Sequence, residues 1–295
     1  MRKILVSGLL NIETSIKVDS FPITYSPIEY PFNGVESFVS GVGYNITKAL
    51  ITLGSDITLL SKIGDDLNGH IILEELKNNK IDTNHVVIEK ENKTAQSIVL
   101  VDKDGKRKIY CDLKNLQDSD DIDTQNLAFK EYDLAILTNI NFNRKLLGIV
   151  KEKGIKIATD VHVLSSIEDS YNEDFMKNAD ILFLSNEAIQ DKEEEFVIAL
   201  YHKYHNEIIV VGCGNKGALA YIGKEDKFIY QEAVAPRGIV STVGAGDALF
   251  SCFIHFYHKG ENVEECLKKA TLFAGIKISQ NGGSNGFVTA EELKY

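Results

Sequence analysis

Thr242-Val243-Gly244-Ala245-Gly246-Asp247-Ala248-Leu249-Phe250 decides how this 295-residue chain is read. The apolar run Gly238-Ile239-Val240 leads into it, and Ala248, Leu249, Cys252, Phe253 and Phe256 follow at amphipathic spacing, so a loop opens a helix here. The first amides of such a helix have no intrahelical partner and sit at the positive end of its macrodipole. With glycine at 244 and 246 and alanine at 245, these donors can meet an anion unobstructed. Asp247 then stands beside the anion, where a carboxylate is repulsive unless it has another task. The residues leave two readings open. Asp247 takes a proton from a hydroxyl while the amides hold a migrating phosphoryl group, or it favours the first helical turn, as acids do.

Working outward, 44% hydrophobic residues over this length can supply a full core. A net charge of −11 argues against nucleic acid or an anionic membrane as partner, since both need a basic surface. Cys111, Cys213, Cys252 and Cys266 are scattered without metal spacing and read as reduced packing residues, which points to the cytoplasm. The apolar start of the chain is too short for a signal peptide, and no run approaches the roughly 20 apolar residues of a membrane span. The sequons at Asn45 and Asn92 are accordingly chance matches.

Residues 4–6 form a buried-strand run ended by Ser7-Gly8. Three of the four prolines, Pro22, Pro27 and Pro31, then mark extended or irregular chain. A strand over 35–39 leads into Ser40-Gly41-Val42-Gly43-Tyr44-Asn45. Ile46, Ala49, Leu50 and Leu53 follow at helical spacing, and Gly54 closes that helix. Residues 57–63 read as a strand, about 70–78 as a helix, and 94–110 as a hairpin turning at Asp104-Gly105. Beyond them strands (134–137, 155–159, 181–184, 208–211) alternate with helices (144–153, 193–204), and a last helix covers about 263–279. This pattern predicts a doubly wound α/β fold, mostly parallel, with helices on both faces. The chain forms one domain, 1–295, and the interruptions at about 11–45 and 93–112 form a small β-sheet lid. Ligands of such sheets sit at the carboxyl ends of strands, where Asp160, Asn186 and Gly212-Cys213-Gly214 fall. Asp160 either orients a ligand or caps.

Residues 242–250 resemble the second signature of the ribokinase-like (PfkB) carbohydrate kinases, Asp-Thr-x-Gly-Ala-Gly-Asp-x-Phe. Ser40 to Asn45 is similar to the first, Gly-Gly-x-x-x-Asn, with Ser40 in place of a glycine, and Gly64-Asp65-Asp66-Leu67-Asn68-Gly69 continues the likeness. The resemblance implies ATP-dependent phosphorylation of a hydroxyl on a sugar or sugar-like molecule, with Mg2+ on the donor phosphates. It gives catalysis to Asp247 with Gly244, Ala245 and Gly246, and acceptor hydroxyls to Glu13, Gly41, Val42, Gly43 and Asn45. ATP falls to Asn186, Gly214, Gly217, Thr242, Gly244 and Gly246, with Asn186 also ordering the metal through water. The loop 280–286 would border the adenine. Read without it, Gly41 to Asn45 is a strand-to-helix turn with a cap, Gly214 to Gly217 is a hairpin turn, and Asp65 and Asp66 are turn and N-cap.

The chain departs from the pattern at three positions. Ile189 replaces the glutamate of Asn-x-x-Glu, which leaves the magnesium geometry open. Ser241 replaces the aspartate associated with a monovalent cation, so potassium activation is not assumed. Glu13 stands where the family has an aspartate. A nucleoside is the alternative acceptor, with tyrosines and phenylalanines between 21 and 44 free to stack on a base or to fill a lid core. A catalytically lapsed sensor is a third reading. A phosphate-bearing acceptor is disfavoured by the few cationic side chains near the expected pocket. No Walker motif is present. The lid edges can pair with a second copy to give a homodimer.

Overall fold

The computed structural model describes residues 3–103, 105–117, 122, 124 and 126–294; Asp104 of the expected hairpin turn lies outside the described residues. The strands are β1 (Lys3–Ser7), β2 (Asn11–Lys17), β3 (Val35–Ser40), β4 (Ile57–Gly64), β5 (Val86–Glu89), β6 (Gln96–Val101), β7 (Arg107–Asp112), β8 (Tyr132–Leu137), β9 (Lys156–Val163), β10 (Ile181–Ser185), β11 (Ile208–Gly212), β12 (Ala218–Ile222) and β13 (Lys227–Gln231). The helices are α1 (Val42–Thr52), α2 (Leu67–Asn78), α3 (Arg144–Glu152), α4 (Glu173–Asn178), α5 (Glu193–Tyr204), α6 (Ala245–His258) and α7 (Val263–Lys277).

Nine strands make the main sheet in the order β13-β12-β11-β10-β9-β8-β1-β4-β5. Pairing is parallel from β11 to β5, while β12 and β13 run antiparallel at one edge. That reversal follows from the Gly214–Lys216 turn, which is too short to carry a crossover helix. Along β1, Ile4 and Val6 face one core with α1, α2, α6 and α7, while Leu5 faces the other with α3, α4 and α5. The doubly wound architecture thus rests on two apolar layers. Every residue of α6 from Asp247 to Phe256 is buried, and the Phe183 ring of β10 meets Phe250 edge-on at 4.8 Å. Helix α6 is therefore a rigid platform for whatever its first turn carries.

A second sheet, in the order β3-β2-β6-β7, comes from the two segments that interrupt the alternation. Its central pair, β2 with β6, is parallel, and the outer pairs are antiparallel. The chain enters it directly from β1 and returns through Gly41, whose φ of 100° and close approach to Leu9 (an added Cβ would lie 2.5 Å from its carbonyl oxygen) admit only glycine. Asp66 fastens the other junction. Its carboxylate accepts from Gly69 N–H at 2.9 Å, capping α2, and from the Thr94 hydroxyl at 2.6 Å, just ahead of β6. Burial opposes the ionised form, but these bonds outweigh it and hold the Asp66 pKa below its ordinary value.

Some expectations shift. Helix α2 starts at Leu67, earlier than about 70, because Asp66 caps it. Strand β9 continues past 159 to Val163, since buried Val161 resumes the apolar pattern after Asp160. Strands β5 and β13 and helix α4, four to six residues each, are too short to show a period. Cys252 and Cys266 are buried as read, but Cys111 is exposed on β7 and so is not a packing residue. Among the described residues no helix is long and apolar enough to cross a membrane.

Candidate active site

The loop at 240–244 is held before α6 begins. Val240 and Ser241 N–H both donate to the Ile278 carbonyl, at 2.8 and 3.0 Å, and Lys277 Nζ donates to the Val243 carbonyl. Gly244 then adopts φ 76° as N-cap, so close to the 280–286 loop that an added Cβ would lie 2.2 Å from Gly283 O. The amides of Gly244, Gly246 and Asp247 have no hydrogen-bond partner among the described residues. Ala245 departs from expectation: its N–H turns back to the Thr242 carbonyl at 3.2 Å, closing the turn, so Gly244 and Gly246, with Asp247 itself, supply the open donors.

Asp247 is 9% exposed, and its Oδ2 accepts from Asn45 Nδ2 at 2.8 Å. Burial raises its pKa; Asp160 adds to the rise, while the Asn45 bond, His162 and Lys277 oppose it. Glu13, on β2, is 7% exposed and accepts from Ser40 Oγ at 3.0 Å. The same hydroxyl lies 3.3 Å from Asn45 Oδ1. Glu13, Ser40, Asn45 and Asp247 thus form one polar chain from the small sheet to α6. Glu13 Oε1 is buried with no partner among the described residues, an acceptor still to be satisfied. Burial raises the Glu13 pKa as well, with Asp247 adding and Ser40, Lys277 and Arg107 opposing.

The other expected acceptor residues divide. Gly41 is the sharp turn into α1, and Val42 is its half-buried first residue. Gly43, expected to offer its backbone to a substrate, instead donates its N–H to the Leu9 carbonyl at 2.9 Å. An added Cβ there would lie 2.5 Å from the Gly8 carbonyl carbon, so this glycine lets α1 close on the end of β1. On the side expected for nucleotide, Asn186 is buried and donates to Glu193 Oε1 at 2.7 Å. Ile189 packs in the core, and the carboxylate that meets Asn186 comes instead from seven positions along the chain. Gly214 and Gly217 (φ 57° and 105°) shape the β11–β12 turn, with Gly217 pressed against β13. Thr242 is exposed, and its carbonyl and hydroxyl accept from Arg107, at 3.1 and 3.4 Å.

Arg107, Lys277, Glu193 and His162 go unnamed in the sequence reading. Arg107 and Lys277 also revise the expectation of few cations, since both act on Glu13. One signal for Lys277 was available: it stands four residues after Phe273 and seven after Ala270, on the buried stripe of α7.

Bare amides at a helix start, a buried acid bonded into a polar chain, and a second sheet bordering them suit transfer of a phosphoryl group to a hydroxyl. Residues 1–290 match the family described as pfkB family carbohydrate kinase, and the chain belongs to that family. It is 25% identical to the ribokinase of Dictyostelium discoideum over 98% of this chain and 98% of that protein. A microbiome-derived acarbose kinase has the same fold with a TM-score of 0.87 at 21% identity, covering 99% of this chain and 98% of that one. The ribokinase of Arabidopsis thaliana, solved in complex with ribose and ATP, gives 0.83 at 19% identity, covering 99% and 97%. The protein is a carbohydrate kinase.

Proposed function

We propose that Asp247 aligns an acceptor hydroxyl and takes its proton while the γ-phosphoryl of ATP crosses the Gly244 and Gly246 amides. The observation that carries this reading is the Asp247 carboxylate, buried, fixed by Asn45 at 2.8 Å and one residue from unpartnered amides. Phosphoryl transfer has a loose transition state, so alignment and charge stabilisation matter more than a strong base. The acceptor is a sugar: the unsatisfied Glu13 Oε1 is suited to accept from one of its hydroxyls, and a relative of this fold holds ribose with ATP. A nucleoside is less favoured, because Tyr25 and Phe32 stand 88% and 87% exposed and the Tyr44 hydroxyl is spent on Glu75 at 2.7 Å.

Among the described residues no cluster of three or more His, Cys, Asp or Glu could hold a metal ion alone. The Asn186–Glu193 pair, bonded at 2.7 Å, would hold magnesium through water, and the ion would supply charge neutralisation for the donor phosphates. The small sheet acts as a lid: Glu13 rides on β2, so an acceptor on Glu13 draws β2 and β6 toward α6 and excludes water. The exposed lid aromatics suit a second copy of the chain, and the free thiols suit the cytoplasm.

Asp247→Asn tests the assignment. It should lower kcat by at least about 10²-fold while ATP still binds by calorimetry. ADP formation is followed over a panel of free sugars and nucleosides, and near-normal turnover by the variant would remove Asp247 from the role.

A further inference from the structure

We infer that Lys277 is the built-in cation of this site, a positioning residue whose ammonium polarises the Val243–Gly244 peptide and so strengthens the Gly244 donor that meets the phosphoryl group. The inference rests on the kinase reading above and deepens it. Lys277 ends α7 and is 0% exposed. A lysine is almost never so placed without a partner of consequence. Its Nζ donates to the Val243 carbonyl. That oxygen belongs to the same peptide group as the Gly244 N–H, and the bond is charge-assisted. A cation on the carbonyl shifts electron density toward oxygen and makes the amide on the other side a stronger donor, as in any polarised hydrogen-bond chain.

The charges around it fit the same task. Asp247 from α6 and Glu13 from β2 both favour the Lys277 ammonium, and Arg107 from β7 opposes it. One buried cation therefore serves two buried carboxylates and the loop that carries the anion-binding amides. Ser241, at the head of that loop, brings no negative charge of its own and bonds to Val243 N–H at 3.3 Å. The loop is already held by a covalent ammonium, so turnover needs no bound alkali cation.

The test begins with wild-type turnover on the sugar panel in potassium, sodium and tetramethylammonium salts. Equal rates in all three are expected; activation by potassium overturns the proposal. Absence of any wild-type turnover fails the kinase reading instead, which keeps the two apart. Lys277→Ala and the neutral, similarly sized Lys277→Met are then compared at matched melting temperature. Both should lose roughly tenfold or more in kcat, with the KM of the acceptor little changed. In Lys277→Ala, added ammonium or methylammonium should restore part of that loss, and Lys277→Met, whose side chain still fills the space, should not respond. A folded Lys277→Ala with kcat within twofold of wild type overturns the proposal, as does a loss that no small cation restores. Where neither variant folds, the salt comparison on the wild type decides.

Discussion

Lys277 is a costly residue to bury, and its cost should be visible in stability against pH. Burial lowers its pKa from 10.5 to about 8, although Asp247 and Glu13 pull it back up and Arg107 lowers it further. Between these values the unfolded chain binds more protons than the native one, so stability rises with pH across this window. Lys277→Met lacks that gain. The stability difference, wild type minus variant, should therefore rise by up to ~3 kcal/mol as pH goes from about 8 to 10.5. Denaturant midpoints at the two ends of the window measure it, and a flat difference would mean the ammonium is better solvated than its burial implies. At this scale the sequence was legible where the chemistry is local. Asp247 and its neighbours lie within one loop and turn, so their spacing could be read. Arg107 meets Thr242 from 135 positions away, and only the folded lid brings it there.

The start of α6 depends on one glycine at which conformation and contact coincide. Gly244 has φ 76°, and a Cβ there would lie 2.2 Å from Gly283 O and 2.8 Å from its Cα. Gly244→Ala should cost about 1–3 kcal/mol in unfolding free energy, from left-handed strain plus displacement of the 280–286 loop. It should also lower kcat more than ATP affinity. Thermal or denaturant unfolding together with steady-state rates would check it, and a variant of unchanged stability would mean that the loop yields freely. Elements long enough to show a period, such as α1, α5, α6 and α7, were legible. So was the α2 cap at Asp66, although not the α2 start, because Leu67 is exposed and breaks the apolar pattern. The β11–β12 reversal was open to reading as the hairpin turn at Gly214 to Gly217, whereas β13 was hidden because five residues are too few to show a period.

For the whole molecule, the two interruptions in the α/β alternation marked where a second sheet had to be, but not that β2 and β6 pair in parallel at its centre. The segment before β3 leaves Tyr25 and Phe32 at 88% and 87% exposure, with Tyr30 stacked on Phe32 at a centroid distance of 6.1 Å. Sedimentation of the wild type should give a dimer, and Tyr25→Ser with Phe32→Ser together should give a monomer that retains its fold. A wild type that sediments as a monomer at micromolar concentration removes the lid interface. The polar chain that joins lid and core has one further consequence. Asn45 donates through Nδ2 to Asp247, and its acceptor Oδ1 faces the Ser40 hydroxyl at 3.3 Å, sharing with Glu13 the one proton that hydroxyl has. A carboxamide keeps donor and acceptor on different atoms and cannot exchange them, so the chain transmits orientation while insulating one acid from the other. A proton placed on Asp247 would have no relay through Asn45 to Glu13, so the two acids would titrate without passing protons along this chain.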